Sequence, residues 1–193
     1  MLGIFLDSET NGLNFFKHHI CEIALKIVNL ESGESLDTFD TIIKLPRELW
    51  EKSDPESLKV NALSWDRIQG GMEPLHASKR IESLFERHQI QRGRSVFICQ
   101  NPSFDRAFFA QLINADRQEA LNWPYHWLDL ASMYWTKALL DRSLPPWESG
   151  ISKNDIAKIM GLPSEEEPHR ALNGVEHLLL CYEAVVGYPG RRK

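Results

Sequence analysis

The sequence predicts an α/β fold whose mixed, five-stranded sheet has helices on both faces. Three strand-like segments come first, and the turns "NGL" and "ESGES" separate them. They therefore predict an antiparallel meander. Helical and strand-like segments then alternate, which is typical of parallel strands joined by helices.

The meander is predicted over residues 2–6, 20–30 and 38–45. In the middle segment, apolar and mixed positions alternate with the period of a strand. The first segment is a short apolar run that ends directly before an acidic residue. We expect this run to be a buried strand.

The alternating part begins with a helix over 55–63 and an amphipathic helix within 73–90. The apolar "SVFICQ" predicts a strand buried on both faces, followed by a helix with Asn101 as its N-cap and Pro102 at its first position. The remaining predictions are a strand in 125–130, a helix over 131–140, a loop over 143–150, a short helix over 152–162 and a final helix after Pro168 to about residue 186.

Length and composition favour one soluble domain over residues 1–193, with 42% hydrophobic and 25% charged residues. No apolar stretch approaches the roughly 20 residues of a membrane span, and the N-terminus lacks a signal-peptide pattern, so a cytoplasmic protein without a membrane partner is expected. Cys21, Cys99 and Cys181 are odd in number and lie in apolar segments, which predicts reduced core thiols.

The net charge of -5 argues against broad electrostatic coating of a nucleic-acid duplex. Such binding needs many lysines and arginines to neutralise phosphates. An acidic protein can still hold a short piece of nucleic acid through bound metal ions.

Two acids, Asp7 and Glu9, follow the first predicted strand in "FLDSET". Residues two apart on a strand point to the same face, so these like charges are brought together. A divalent cation relieves their repulsion, and an all-oxygen site suits Mg²⁺ or Mn²⁺ rather than zinc. Two solvated acids at a strand end are the simpler explanation if this pair stands alone.

A third acid, Asp105, lies in the first turn of the helix that follows "SVFICQ". There it could merely compensate the helix dipole, which is worth about 0.3–1 kcal/mol. If that strand lies parallel to the first one, however, the turn brings Asp105 close to Asp7 and Glu9. The three acids would then share one metal site.

Three segments, "FLDSETNGL", "QNPSFDRAFF" and "PHRALNGVEH", resemble the three motifs of the DnaQ-like, DEDDh 3'-5' exonucleases. The resemblance covers nearly the whole chain and implies an RNase H-like fold with two Mg²⁺ or Mn²⁺ ions. It implies that Asp7, Glu9 and Asp105 are catalytic metal ligands and that His169 is the general base. A neutral imidazole suits proton transfer near neutral pH.

The resemblance also implies substrate contacts. Thr10 and Leu13 would hold the 3'-terminal nucleotide, with Asn61, in "LKVNALSWD", and Asn101 as further contacts. Two other acids carry weaker signals. Glu22 is either a supporting residue of the site or a partnered strand residue, and Asp129 is most simply a helix N-cap.

The third motif departs from the family at Gly174, where an aspartate is expected five positions after His169. On a helix, Glu176 points largely away from that position and His177 lies a turn further along, while Asn173 could reach a metal-bound water. The sequence therefore predicts a weakened second metal site and reduced activity, which Gly174→Asp would raise. Natural loss of activity, a site that tolerates three acids and an introduced change are three possible origins of the glycine.

The expected function is hydrolysis of phosphodiester bonds at single-stranded DNA or RNA 3' ends by a two-metal mechanism. One alternative is an inactive, nuclease-derived module that binds nucleic acid or protein. Another is a hydrolase of short oligonucleotides. A polymerase or another replication or repair protein is a further expected partner, and both monomer and homodimer remain open.

Overall fold

The computed structural model describes residues 1–191, which form a mixed sheet of five strands in the order β3-β2-β1-β4-β5. The strands are β1 Leu2–Thr10, β2 Ile20–Asn29, β3 Ser35–Ile42, β4 Ser95–Cys99 and β5 Trp127–Asp129. β1, β2 and β3 pair antiparallel, whereas β4 pairs parallel with both β1 and β5. The predicted meander and the predicted mixed sheet are confirmed.

Ten α-helices and one 3-10 turn follow or connect these strands within residues 1–191. The α-helices are α1 Arg47–Trp50, α2 Pro55–Asn61, α3 Trp65–Gln69, α4 Pro74–Arg87, α5 Pro102–Leu112, α6 Ala115–Ala120, α7 Leu130–Leu140, α8 Pro146–Ser149, α9 Lys153–Ile159 and α10 Ala171–Val185, and the 3-10 turn is Pro189–Arg191. The longer helices match the sequence prediction. The short helices α1, α3 and α6 were not predicted, and α8 lies inside the segment predicted as a loop.

Three strands differ from the prediction by two residues or more, and one of them, β5, begins two residues later than predicted. β3 begins and ends three residues earlier, and β1 continues past residue 6 to Thr10. The apolar run does end there, but β1 keeps its pairing with β2, with Asp7 opposite Ala24 and Glu9 opposite Glu22. The pairing of β1 with β4 stops at Phe5, so the two acids extend past β4.

Hydrophobic residues cover both faces of the sheet, as predicted. On one face Ile4 and Leu6 pack with buried residues of α4 and α5, and on the other Phe5 packs with residues of α7 and α10. All three cysteines are buried free thiols, which confirms that prediction. In the described part of the chain, no helix has the length and apolarity to span a bilayer.

Candidate active site

A pocket of about 340 Å³ opens where β1 extends past the end of β4. Asp7, Glu9, Asp105, His169 and Asn101, all predicted as site residues, line it. Four element ends meet at this pocket: the polar ends of β1 and β4 and the starts of α5 and α10. They meet because parallel strands and the helices that follow them come together at one edge of the sheet.

Asp105 sits in the first turn of α5 and is only 3% exposed. Its Oδ1 accepts a hydrogen bond of 2.7 Å from the hydroxyl of Ser8 on β1, which ties the helix to the strand. Burial, followed by the negative charge of Asp7, raises the pKa of Asp105 well above its usual range. A cation beside the carboxylate would oppose this shift.

Burial also raises the pKa values of the other two acids, Asp7 and Glu9. Burial raises the pKa of Glu9 to about 8, and the Asp7 carboxylate adds to this increase. Burial also raises the pKa of Asp7, although a neighbouring lysine, Lys153, opposes it. Three carboxylates in one low-dielectric pocket favour a bound positive charge.

His169 is half-buried on the segment before α10, and its backbone N–H donates to the carbonyl of Val60 at 3.1 Å. This bond anchors the segment, while the imidazole lines the acidic pocket. The next residue, Arg170, makes a bidentate ion pair of 2.8 and 2.5 Å with Glu22. Glu22 is therefore the partnered strand residue of the two predicted alternatives, and its pair holds the start of α10 against β2.

Asn101 occupies the N-cap position of α5, but the prediction that it caps the helix is wrong. It has a left-handed backbone with φ 56°, and its side chain makes no capping bond. Instead it accepts a hydrogen bond of 2.7 Å from Ser103, and its backbone N–H donates to Asp129 at 3.1 Å. Asp129 also caps α7, as predicted, because it accepts from the first backbone N–H groups of that helix.

The other three predicted substrate contacts do not line the pocket. The Thr10 hydroxyl donates to the carbonyl of Gly12 at 2.8 Å, and the Asn61 amide donates to the carbonyl of Thr10 at 3.0 Å. Both side chains brace the end of β1. Leu13 is 76% exposed on the loop that follows. Their contacts with a nucleotide stay predictions.

The space beside Gly174 is already filled. A Cβ atom at this position would lie 2.1 Å from Oδ2 of Asp7 and 3.0 Å from Nζ of Lys153. The Lys153 ammonium donates to Asp7 Oδ1 at 3.0 Å and to Glu165 Oε1 at 3.2 Å. An aspartate at 174 therefore requires Asp7 to move, and the expectation that Gly174→Asp would raise activity stays a prediction.

None of the helix neighbours considered from sequence replaces the missing acid. Glu176 is exposed and pairs with Lys26, the Asn173 amide donates to a loop glutamate, and His177 lies 2.9 Å from a proline carbonyl. The additional carboxylate that lines the pocket is that of Glu165, whose side chain is 2% exposed.

Sequence reasoning missed both Lys153 and Glu165. Glu165 stands in a run of three glutamates that is typical of a solvated loop. Lys153 carried one usable signal: it is the first residue of α9, and a positive charge opposes the dipole at a helix N-terminus. Its ion pairs with Asp7 and Glu165 outweigh that cost.

The oxygen donors of Asp7, Glu9 and Asp105 suit one Mg²⁺ or Mn²⁺ ion by their chemistry. Within residues 1–191, no three potential ligands converge on one point as the side chains stand, because Asp7 faces Lys153 and Asp105 accepts from Ser8. A pair of ions does not fit this arrangement. The position expected to carry the fourth ligand is Gly174, and the ammonium group of Lys153 lies beside it.

No protein-family model and no curated protein sequence matches the chain. Solved structures do match it. Escherichia coli exonuclease I in complex with a dT13 oligonucleotide is 15% identical with a TM-score of 0.73, over 95% of this chain and 40% of that one. Exonuclease I from Methylocaldum szegediense is 16% identical with a TM-score of 0.74, over 95% and 40%.

The nuclease domain of 3'hExo, a DEDDh family member bound to rAMP, is 12% identical with a TM-score of 0.69, over 93% of this chain and 88% of that one. The chain thus spans about 40% of the exonuclease I chains but most of this domain. These likenesses confirm the RNase H-like fold of DEDDh exonucleases that the three motifs predicted.

Proposed function

We propose that this chain is a metal-dependent 3'-5' exonuclease acting on single-stranded nucleic acid. The observation that supports it is the meeting of Asp7, Glu9, Asp105 and His169 in one pocket of an exonuclease-type fold. They come from three segments that lie far apart in the chain. Burial raises the pKa of all three acids, which is common at functional sites.

Each residue has a role that its position supports. Asp7, Glu9 and Asp105 would hold the cation. The imidazole of His169, which lines the same pocket, accepts the proton of the attacking water, a common role of histidine in catalysis. When bound, Mg²⁺ or Mn²⁺ polarises the phosphoryl oxygens and makes water a better nucleophile. The water oxygen bonds to phosphorus and the bond from phosphorus to the 3' oxygen of the preceding nucleotide breaks. That oxygen takes up a proton from water, and the nucleoside monophosphate leaves.

The loop after β1 favours a single-stranded substrate. It exposes 76% of Leu13 and 84% of Phe16 close along the chain to Glu9. The rings of Phe15 and Phe16 lie 4.1 Å apart and present an aromatic surface. Unpaired bases can stack on such surfaces, whereas paired bases in a duplex cannot.

A non-catalytic module that holds a 3' end is the second candidate, and the Lys153 ammonium on Asp7 favours it. In that case Lys153 would block cation binding at Asp7 rather than assist it. Binding and turnover separate the two candidates, because the module binds a 3' end and releases nothing.

The test uses 5'-labelled single-stranded DNA and RNA of several lengths with Mg²⁺ or Mn²⁺. The expected result is stepwise shortening from the 3' end, lost in Asp105→Asn and kept in Asp116→Asn, a matched change on the exposed surface of α6. Shortening restricted to the shortest chains would indicate an oligonucleotide hydrolase. Equal inactivity of all three proteins would contradict the proposal.

A further inference from the structure

Lys153 extends from the first turn of α9 into the carboxylate pocket, and its side chain is 11% exposed. Its Nζ lies 3.0 Å from Asp7 Oδ1, 3.2 Å from Glu165 Oε1 and 3.4 Å from the carbonyl oxygen of Gly174. An ammonium group has three hydrogens to donate, and these three oxygens use them all. The group is thus held by two carboxylates and a carbonyl, the kind of oxygen shell that binds hard cations.

Charge in the pocket explains why a cation is needed at this point. The side chain of Glu165 is 2% exposed and that of Asp7 13%. Two carboxylates that are this deeply buried are strongly unfavourable without a positive partner. Lys153 supplies that partner as a permanent part of the chain.

Gly174 is part of the same arrangement. Since it lacks a Cβ, Asp7 Oδ2 can occupy a point only 2.1 Å from where that atom would be. Any side chain at this position would require the Asp7 carboxylate to shift. The glycine and the lysine are therefore coupled, because the space beside Gly174 lets Asp7 lie where it bonds Lys153.

We propose that the Lys153 ammonium replaces one of the two divalent cations that the motif resemblance implies, so that the site takes a single Mg²⁺ or Mn²⁺ ion. This inference rests on the proposed function for its catalytic meaning. The remaining ion would be held by the carboxylates of Glu9 and Asp105, which make no bond to Lys153, with Oδ2 of Asp7, the oxygen that Lys153 does not bond. Lys153 contributes its positive charge to the pocket from a fixed position.

The test counts bound Mn²⁺ by electron paramagnetic resonance in wild type, Lys153→Met and Lys158→Met. Lys158 lies exposed on the same helix and serves as the control. We expect one bound ion in wild type and in Lys158→Met. We expect two in Lys153→Met, because the vacated space between Asp7 and Glu165 then suits a second cation.

Two bound ions or none in wild type would overturn the proposal, as would an unchanged count in a folded Lys153→Met. If Lys153→Met does not fold, Lys153→Arg provides the second variant. It keeps the charge and is expected to bind one ion, and a count of two would overturn the proposal.

Nuclease activity, measured on the same samples, separates this inference from the proposed function. One ion with no activity in wild type supports the single-ion site and contradicts the exonuclease. Activity with two bound ions contradicts the single-ion site and supports the exonuclease.

Discussion

Gly174→Ala tests whether the glycine is required by Asp7. The new Cβ would lie 2.1 Å from Oδ2 of Asp7 and 2.6 Å from its Cγ, so the carboxylate has to shift, and we expect this shift to break its bond to Lys153. Losing that charge-assisted hydrogen bond costs about 1.5–3 kcal/mol. The helix gains about 1 kcal/mol when alanine replaces glycine. The net expectation is a free energy of unfolding about 0.5–2 kcal/mol lower than that of wild type.

The assay is urea denaturation in the presence of a chelator, so that no divalent ion holds Asp7 in place. Gly70→Ala is the matched control, because a Cβ at that position lies 3.5 Å from its nearest neighbour, an ordinary contact. It should change the unfolding free energy by less than about 0.5 kcal/mol. A Gly174→Ala protein as stable as wild type, or more stable, would refute the packing argument.

Three further changes test other parts of the site. Arg170→Met should lower the unfolding free energy by about 3–5 kcal/mol, because it leaves the Glu22 carboxylate, which is 3% exposed, without its positive partner. Glu22→Gln in that background should restore part of the loss. An Arg170→Met protein as stable as wild type would contradict the pairing. Folding raises the pKa of Glu9 from 4.5 to about 8, so the metal-free folded state binds a proton that the unfolded state releases between these two pH values. The melting temperature should therefore fall as pH rises from about 4.5 to about 8. Glu9→Gln should make the melting temperature depend less on pH, and an unchanged dependence would contradict this assignment. His169→Asn should lower turnover by about 10²–10⁴-fold with unchanged oligonucleotide affinity, and wild-type turnover would remove His169 as the base.

The sequence predicted the parts of the fold and site that depend on local periodicity and on strand order. Strand alternation predicted that Asp7 and Glu9 share one face, and the parallel pairing predicted that Asp105 lies near them. In the structure all three line one pocket. The end of β1 was predicted too early, because backbone pairing with β2 continues after the apolar run stops. Hydrogen bonding to a neighbour does not require apolar side chains.

The remaining part of the site depends on contacts between distant residues. Lys153 and Asp7 are 146 positions apart, and no local pattern indicates that they meet. The helix that carries Gly174 supplies no replacement for the missing acid. The compensating groups come instead from α9 and from the loop that holds Glu165, and only the packed structure brings them together.

The most direct test of the central claim is a single-turnover experiment with equal amounts of protein and a 3'-labelled single-stranded oligonucleotide in Mn²⁺. Binding is followed by fluorescence anisotropy, and release of labelled mononucleotide is measured in the same sample, for wild type and Asp7→Asn. We predict that wild type binds and releases the mononucleotide, whereas Asp7→Asn binds without release. Binding without release in both proteins would contradict the exonuclease and favour a module that only holds the 3' end.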